Sequence, residues 1–454
     1  MMALSGCATK SEPAGAVTAA PAQWQHGPVQ GGAHDATALA HWWRQFDDPI
    51  LDELIAGAEQ TSPDVRSAMA KIAEARARYG VERANLLPSV SASVSDQGVR
   101  TKNRHAPVAS RSESASASLD ASWELDLFGR ERLTSRAAAA DLAQTEENYH
   151  DVQVSLLAEV ASTYVALRSA EAKLVVFERT LQTLEDTYEL TRWKDQAGSG
   201  SALDVQQSLS NLEQTRASIP TLQQTVTEAR NKLALLSGKQ PGALDALLAT
   251  TKPVPNAPPA LAIGIPADTL RQRPDVRAAG HATEAAIART GAAERKRLPS
   301  LSLSGSIGVD ALRANKLPSP QSSFTSLLGS ITAPIFNAGS IRQSIKVQAA
   351  QEQQALIAYE STILAGLSEV ENALSSIQRN NERLTALNKA TLAASDSATL
   401  AQQRYEAGDV DFFAVLEAQR TQLSLTESQL GTNADLTTAY IQLYKALGGG
   451  WTNL

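Results

Sequence analysis

The sequence lacks several features that would each indicate a familiar class of protein. It has one cysteine, Cys7, among 454 residues, so no disulfide framework can form. The net charge of −7, with no concentrated basic face, argues against a nucleic-acid partner. No stretch approaches the roughly 20 apolar residues of a membrane-spanning helix. This excludes a helical membrane protein but leaves membrane strands open, because such strands show only weak alternation.

No site for catalysis is visible either. The six histidines are scattered without metal-ligand spacing, and no zincin, nucleophile-elbow or paired-thiol pattern occurs. The segment 237–240 lacks the upstream glycine and the following Ser or Thr of a phosphate loop. We therefore expect a protein that is not an enzyme and that needs no metal and no cofactor.

The chain does contain an abrupt change of period. Apolar and polar residues alternate from Ala115 to Leu127, which is typical of a β-strand with one wet face. After Phe128-Gly129-Arg130, apolar residues recur at steps of three, four or seven without internal Pro or Gly. This predicts one helix over 131–196, about 100 Å long at about 1.5 Å per residue. Ordinary globular helices average about 11–12 residues, so this is no common enzyme module.

The same order of elements occurs twice. The sequence Pro-Asp-Val-Arg at 63–66 recurs at 274–277, displaced by 211 positions. Ala197-Gly198 recurs as Ala407-Gly408, displaced by 210, and Gly238 likewise recurs as Gly448. A nearly constant offset over so many residues indicates a tandem duplication.

Each repeat is predicted to contain a helix, a β-hairpin, a long helix and a return helix. The first repeat covers 49–238, with strands at about 88–101 and 112–127, a long helix at 131–196 and a return helix at 202–236. A Pro-rich connector covers 239–266. The second repeat covers 267–451, with strands at about 299–310 and 322–335, a long helix at 340–406 and a return helix at 412–447. The short turn between each long helix and its return helix makes the two antiparallel.

The N-terminal part, 1–48, is predicted to hold a lipidation site and a tail. Leu4-Ser5-Gly6-Cys7 resembles a bacterial lipoprotein cleavage box, in which the cysteine becomes the lipidated first residue. An incidental thiol is the alternative. Because the residues before Cys7 are too few for a signal peptide, we expect the start at Met1 to be truncated or misassigned.

Four strands of this length can cross a bilayer at a tilt, but an open four-stranded sheet would leave backbone groups unpaired in lipid. Closure must then come from other copies of the chain. A dimer would supply eight strands and a trimer twelve, and only the larger number leaves room for an aqueous lumen. A soluble sandwich edge is the alternative, but it explains neither the long helices nor the repeat.

Five motifs together resemble the outer-membrane efflux protein family, the TolC-type channels. They lie at 123–130, 270–277, 297–303, 334–339 and 447–451. The cleavage box and Trp42-Trp43 are similar to the NodT-type lipoprotein branch, and the resemblance extends from Trp42 to Trp451.

The resemblance implies a mainly α fold with membrane β structure. Three copies would form one 12-stranded β-barrel in the outer membrane of a Gram-negative bacterium, with a long periplasmic α-barrel and the connector in an equatorial belt. It also implies a periplasmic adaptor, an inner-membrane pump and outer-membrane lipid as partners. The protein would be the gated exit duct of a tripartite efflux system for small molecules or drugs. Two alternatives are a duct for type I protein secretion and a structural coiled-coil lipoprotein that bridges the envelope.

The candidate gate lies at the turn of the second helical hairpin. Three copies of this turn would place carboxylates in a ring that favours cations. In the family, a tyrosine and an acid hold the constriction shut, and Tyr405 and Glu417 match them. Ala414 stands where some members have a second acid, so the resemblance does not support a double ring. A merely solvated turn is the alternative. The gate candidates are Arg404, Tyr405, Asp409, Asp411 and Glu417.

The candidate surface for docking the adaptor's hairpin tips uses both turns. Glycine suits such a surface because a close helix-tip contact needs no side chain and a turn needs a permissive φ. The alternative is that the glycines only make the turns. The docking candidates are Gly198, Ser199, Ala202, Leu203, Asp204 and Gly408.

Overall fold

Two helices of 67 and 68 residues dominate the computed structural model, which describes residues 23–26, 39–101, 110–256, 270–320 and 322–451. Within these stretches, no helix has both the length and the apolar character needed to cross a membrane. A 3₁₀ turn, Trp42–Phe46, precedes the first full helix. The elements that follow are α1 Pro49–Thr61, α2 Pro63–Ala84, β1 Ser89–Thr101, β2 Ser110–Leu125, α3 Arg130–Gln196, α4 Ala202–Leu236, α5 Pro274–Arg295, β3 Ser300–Ala311, β4 Ser322–Thr332, α6 Ser340–Ala407 and α7 Phe412–Ala446.

The second strand of each repeat ends slightly earlier than the sequence predicts, for a local reason. The Asp126 carboxylate accepts the backbone N–H groups of Glu131, at 3.2 Å, and Arg132, at 2.9 Å. These are two of the N–H groups that the first turn of α3 leaves unpaired, so β2 stops at Leu125. In the second repeat β4 stops at Thr332, just before Pro334, which has no N–H to continue the ladder.

One compact unit, made of Ala70–Glu146 and Ala278–Glu360, contains the sheet. Its four strands are antiparallel in the order β1-β2-β3-β4. The β2–β3 pairing, with Ala117 opposite Val309, joins the hairpin of one repeat to that of the other. Within the described part of the chain, β1 and β4 are the edges of the sheet.

The two faces of this sheet differ in chemistry. On one face serines pair across β1 and β2, and the hydroxyls of Ser93 and Ser118 lie 2.8 Å apart. Asp120 accepts hydrogen bonds from the hydroxyls of these two serines and, at 2.7 Å, from Ser306 on β3. On the other face, apolar side chains remain exposed, with Val94 75% and Leu327 77% exposed. An apolar face left open to this extent indicates contact with another apolar surface.

The other compact unit consists of Met1–Met69, Glu147–Arg277 and Ser361–Leu454. Its core brings the beginning and the end of the chain together. Trp42 is fully buried and stacks on Tyr444, with ring centroids 5.2 Å apart. The N–H of Gly450 donates to the carbonyl of Leu39 at 3.2 Å. A Cβ on Gly449 would lie 2.9 Å from the carbonyl oxygen of Leu39, which is backbone and cannot move aside, so this approach requires a glycine.

Each repeat is closed in the same way. The return helix α4 ends at Gly238, where a Cβ would lie only 2.3 Å from the carbonyl oxygen of Thr61. The return helix α7 ends near Gly448, where a Cβ would lie 3.2 Å from the Cα of Arg273. Both glycines have positive φ, as the residue after a helix often does. The end of each return helix therefore packs against the residues that lead into a 22-residue helix, α2 in the first repeat and α5 in the second.

The described part of the connector is held by both repeats. The buried Arg168 guanidinium on α3 donates to the Thr250 carbonyl at 3.0 Å and to the Glu171 carboxylate at 2.6 Å. The Thr437 hydroxyl on α7 donates to the Pro255 carbonyl at 3.0 Å. Residues 257–269, which include the end of the predicted connector, lie outside the described residues.

Candidate functional site at the helical-hairpin tips

The first tip is the turn between α3 and α4. The N–H of Gly198 donates to the Asp195 carbonyl and that of Ser199 to the Lys194 carbonyl, both at 2.9 Å. Gly198 has φ +75°, where an L side chain is strained. The Ser201 hydroxyl caps α4 by accepting the N–H of Leu203 at 3.1 Å. These bonds satisfy the ends of two helices within a five-residue turn.

The second tip has the same backbone design with different side chains. The N–H of Gly408 donates to the Tyr405 carbonyl at 3.1 Å, and that of Asp409 to the Arg404 carbonyl at 2.8 Å. Gly408 has φ +83°. The Asp411 carboxylate caps α7 by accepting the N–H of Ala414 at 3.2 Å. Asp411, one of the gate candidates, therefore also has a structural role as a helix cap.

The structure separates the gate candidates into an exposed group and one buried residue. Arg404, Asp409, Asp411 and Glu417 are exposed, and within the described part of the chain none of them forms an ion pair. Tyr405 is only 5% exposed. The four exposed side chains are thus available to solvent around the turn, and the tyrosine is not.

Tyr405 belongs to a small apolar cluster that closes the tip. Its ring meets the Phe412 ring edge-on at 5.6 Å, and Val415, Leu416 and Leu190 complete the cluster. Its hydroxyl is buried and has no hydrogen-bond partner among the described residues. Burial, and to a smaller extent the negative charge of Asp204, raise the pKa of the Tyr405 phenol. The side chain is therefore a neutral phenol at physiological pH.

Lys194 is a functional candidate that the sequence reasoning missed. Its ammonium lies 4.0 Å from the centroid of the Tyr405 ring and also donates a hydrogen bond to the Tyr405 carbonyl. A cation over an aromatic face is attracted by the ring quadrupole. One sequence signal could have found it, since Lys194 and Arg404 each lie four residues before the glycine of their turn.

Further hydrogen bonds join the two hairpins away from the turns. The Gln419 amide on α7 donates to the Thr187 hydroxyl on α3 at 3.2 Å. The Arg420 guanidinium, also on α7, donates to the Asn211 side-chain oxygen on α4 at 3.1 Å. Side chains of α7 therefore link the second hairpin to both helices of the first.

Most of the docking candidates lie on the open surface of the two turns. Ser199 and Ala202 are exposed, Leu203 is 64% exposed and Asp204 is half-buried. A Cβ placed on Gly198 or on Gly408 meets no heavy atom within 4 Å. The space beside both turn glycines is therefore open to another chain.

Two other expectations concern chemistry away from the tips. Cys7, the predicted lipidation site, lies outside the described residues. Within the described stretches, no His, Cys, Asp and Glu side chains come together in a group of three or more that could hold a metal ion.

Comparison with known proteins gives one consistent result. A family model described as "Outer membrane efflux protein" matches residues 54–239 and 265–449. The chain is 34% identical over 461 residues to the antibiotic efflux pump outer membrane protein ArpC of Pseudomonas putida, covering 99% of this chain and 93% of that protein. It is 33% identical to a toluene efflux pump outer membrane protein, TtgC, also of Pseudomonas putida, covering 95% and 90%. The solved outer-membrane channel OprN is 32% identical, with a TM-score of 0.86, and the match covers 95% of this chain and 99% of OprN.

Proposed function

The chain belongs to the outer membrane efflux protein family, and we propose that it is the exit duct through which a tripartite pump expels small molecules across the outer membrane. The observation that carries this proposal is the family match, which covers both repeats of the chain. The fold supports it, because solved outer-membrane channels are similar to this chain over 95–96% of its length, with TM-scores of 0.86 and 0.83.

The sheet supports a duct made of three copies. One face carries serine hydroxyls and the Asp120 carboxylate, which suit a water-filled lumen, and the other carries exposed Val and Leu side chains, which suit lipid. Among the strands that the structure describes, β1 and β4 are edges whose outward backbone groups have no partner strand, and lipid cannot satisfy such groups. Three copies, each pairing its β1 with a neighbour's β4, would close a sheet of twelve strands.

The tips of the helical hairpins are the proposed site of regulation. We assign the gate to Tyr405 with Arg404, Asp409, Asp411 and Glu417, and three copies would surround the axis with carboxylates that favour cations. Both turns, with the open space beside Gly198 and Gly408, suit docking of a periplasmic adaptor. An inner-membrane pump would supply the energy, and the duct itself would catalyse no reaction.

The transported molecules and the membrane anchor complete the proposal. The named relatives are outer membrane proteins of an antibiotic efflux pump and a toluene efflux pump, so we propose that this duct passes small molecules of varied chemistry. A lipid on Cys7 would add an anchor in the outer membrane. Mass spectrometry of the native protein tests this part, since an unmodified Cys7 would rule out the anchor.

Single-channel recording in planar bilayers, combined with oligomer mass in detergent, tests the duct. We expect a trimer that gives small, cation-selective and mostly closed events. A monomer that gives no conductance would contradict the proposal, because the four strands would then never close a pore.

A further inference from the structure

The second hairpin tip has few polar contacts that hold it to the first hairpin. Its charged side chains, Arg404, Asp409, Asp411 and Glu417, are exposed and form no ion pair within the described stretches of the chain. Lys194, on the last turn of α3, does reach the second hairpin, because its ammonium group contacts Tyr405 near the end of α6. The contact between the tips therefore depends strongly on one side chain.

Lys194 makes two interactions with the same residue. Its ammonium lies over the Tyr405 ring, 4.0 Å from the centroid, and donates to the Tyr405 carbonyl. That carbonyl, which also accepts the N–H of Gly408, belongs to the last turn of α6, where the helix dipole is negative. Leu190, one turn earlier on α3, packs against the same cluster as Tyr405. The cation is thus placed where both a ring face and a helix end favour positive charge.

The hydroxyl of Tyr405 plays no part in this contact. It is buried and has no hydrogen-bond partner among the described residues. A link between the tyrosine hydroxyl and an acid, which the family resemblance implies, is thus not what joins the two hairpins of this chain. We propose that the Lys194 ammonium is the latch that holds the two tips together in the closed duct. Tyr405 serves the latch through its ring and its carbonyl.

The position of the latch fits a motion of the second tip. Moving the end of α6 away from α3 would break both interactions of Lys194 at once, because both are made with Tyr405. The hydrogen bonds of Gln419 and Arg420 lie about two turns further along α7, at about 3.6 residues per turn, and would remain as the hinge. The latch is therefore at the tip, where the displacement is largest.

This inference rests on the proposed duct, and replacing Lys194 in the full-length trimer tests it. Lys194→Met removes the charge and keeps the length of the stem, while Lys194→Arg keeps a cation that can stack on the ring. Tyr405→Phe removes only the hydroxyl. Lys389→Met, which removes an exposed lysine on α6, is the matched control.

In planar bilayers we expect Lys194→Met to raise the fraction of time spent conducting roughly tenfold. Lys194→Arg and Tyr405→Phe keep the cation, the ring and the carbonyl, so they should open far less than Lys194→Met, and Lys389→Met should stay as closed as the parent. The latch would be refuted by a Lys194→Met trimer that is as closed as the parent, or by a Tyr405→Phe trimer that opens as much as Lys194→Met. The second result would show that the Tyr405 hydroxyl takes part in holding the tips together.

Failure of the duct and failure of the latch are distinguishable. If neither the parent nor any variant forms a conducting trimer, the duct itself is wrong. If the parent conducts and Lys194→Met does not differ from it, only the latch is wrong. Should Lys194→Met fail to assemble, Lys194→Gln removes the same charge. The Tyr405→Phe trimer tests the role of the hydroxyl independently.

Discussion

Enlarging the two turn glycines tests whether the tips bind the adaptor or only make turns. The perturbation is Gly198→Leu combined with Gly408→Leu. Both glycines have positive φ, and a side chain at either position points into open space within this chain. The substitution therefore strains the backbone without creating a clash inside the protein.

The size of each effect follows from this geometry. A non-glycine residue at such a φ costs about 1–2 kcal/mol of stability, whatever surrounds it. If a partner packs against the turn, the added side chain also costs about 1–3 kcal/mol by overpacking. A trimer presents each turn three times, so one substituted turn weakens docking by about 3–9 kcal/mol, which is at least a hundredfold in affinity.

Gly242→Leu is the matched control, because Gly242 also has positive φ and a Cβ there comes only within 3.6 Å of Asp245. The assay is the minimum inhibitory concentration of a panel of antibiotics and solvents in a strain that lacks its own copy of the gene. We expect the tip variant to give no resistance and the control to give full resistance. The heat-unfolding midpoint should fall in both proteins, by a similar amount for each glycine replaced. Full resistance with both tip glycines replaced would refute the docking role.

Three further predictions concern stability, pH and charge. Gly238→Ala should destabilise the protein by roughly 2–5 kcal/mol in denaturant unfolding, since the methyl group meets the Thr61 carbonyl and φ is positive. Burial raises the pKa of the Glu371 carboxyl, but hydrogen bonds from Gln25 and His26 and the charge of His26 lower this pKa overall. The stability that these hydrogen bonds contribute is therefore present at neutral pH and is lost as the pH falls through the lowered pKa. The protection of the amide N–H groups at 25–26 against exchange, taken relative to their intrinsic rate at each pH, should be lost in acid, and in Glu371→Gln it should already be low at pH 7. Asp411→Ser should keep the cap of α7 and the heat-unfolding midpoint but reduce cation selectivity in bilayers, and unchanged selectivity would leave Asp411 as a cap only.

The elements were predictable because their signals are local. Alternation of Val90, Ala92 and Val94 with serines lies within β1, and the change of period after Gly129 lies at the start of α3. The ends were less predictable because single contacts decide them. The strand β2 ends just before Asp126, because the Asp126 carboxylate caps α3. The apolar periodicity of the sequence does not predict this contact.

The site was predictable only where the backbone dictates the residue. The turn glycines could be located because positive φ favours glycine. The contact of Lys194 with Tyr405 could not, since the two residues are 211 positions apart and no local pattern joins them. Lys194 and Arg404 occupy matching places four residues before their turn glycines, yet one side chain lies on an aromatic ring and the other is exposed. Packing against the neighbouring hairpin decides between them.

The duplication shows which properties of a tip are structural and which are open to function. Both turns use a glycine with positive φ, and both return helices begin at a residue whose side-chain oxygen accepts a backbone N–H. That oxygen is the hydroxyl of Ser201 in the first tip and the carboxylate of Asp411 in the second. Because a hydroxyl is sufficient as a cap, the negative charge of Asp411 is not required by the fold. The charge of Asp411 is therefore free to serve a function, and this is why we propose the acidic turn, 408–411, rather than the uncharged turn, 197–201, as the gate.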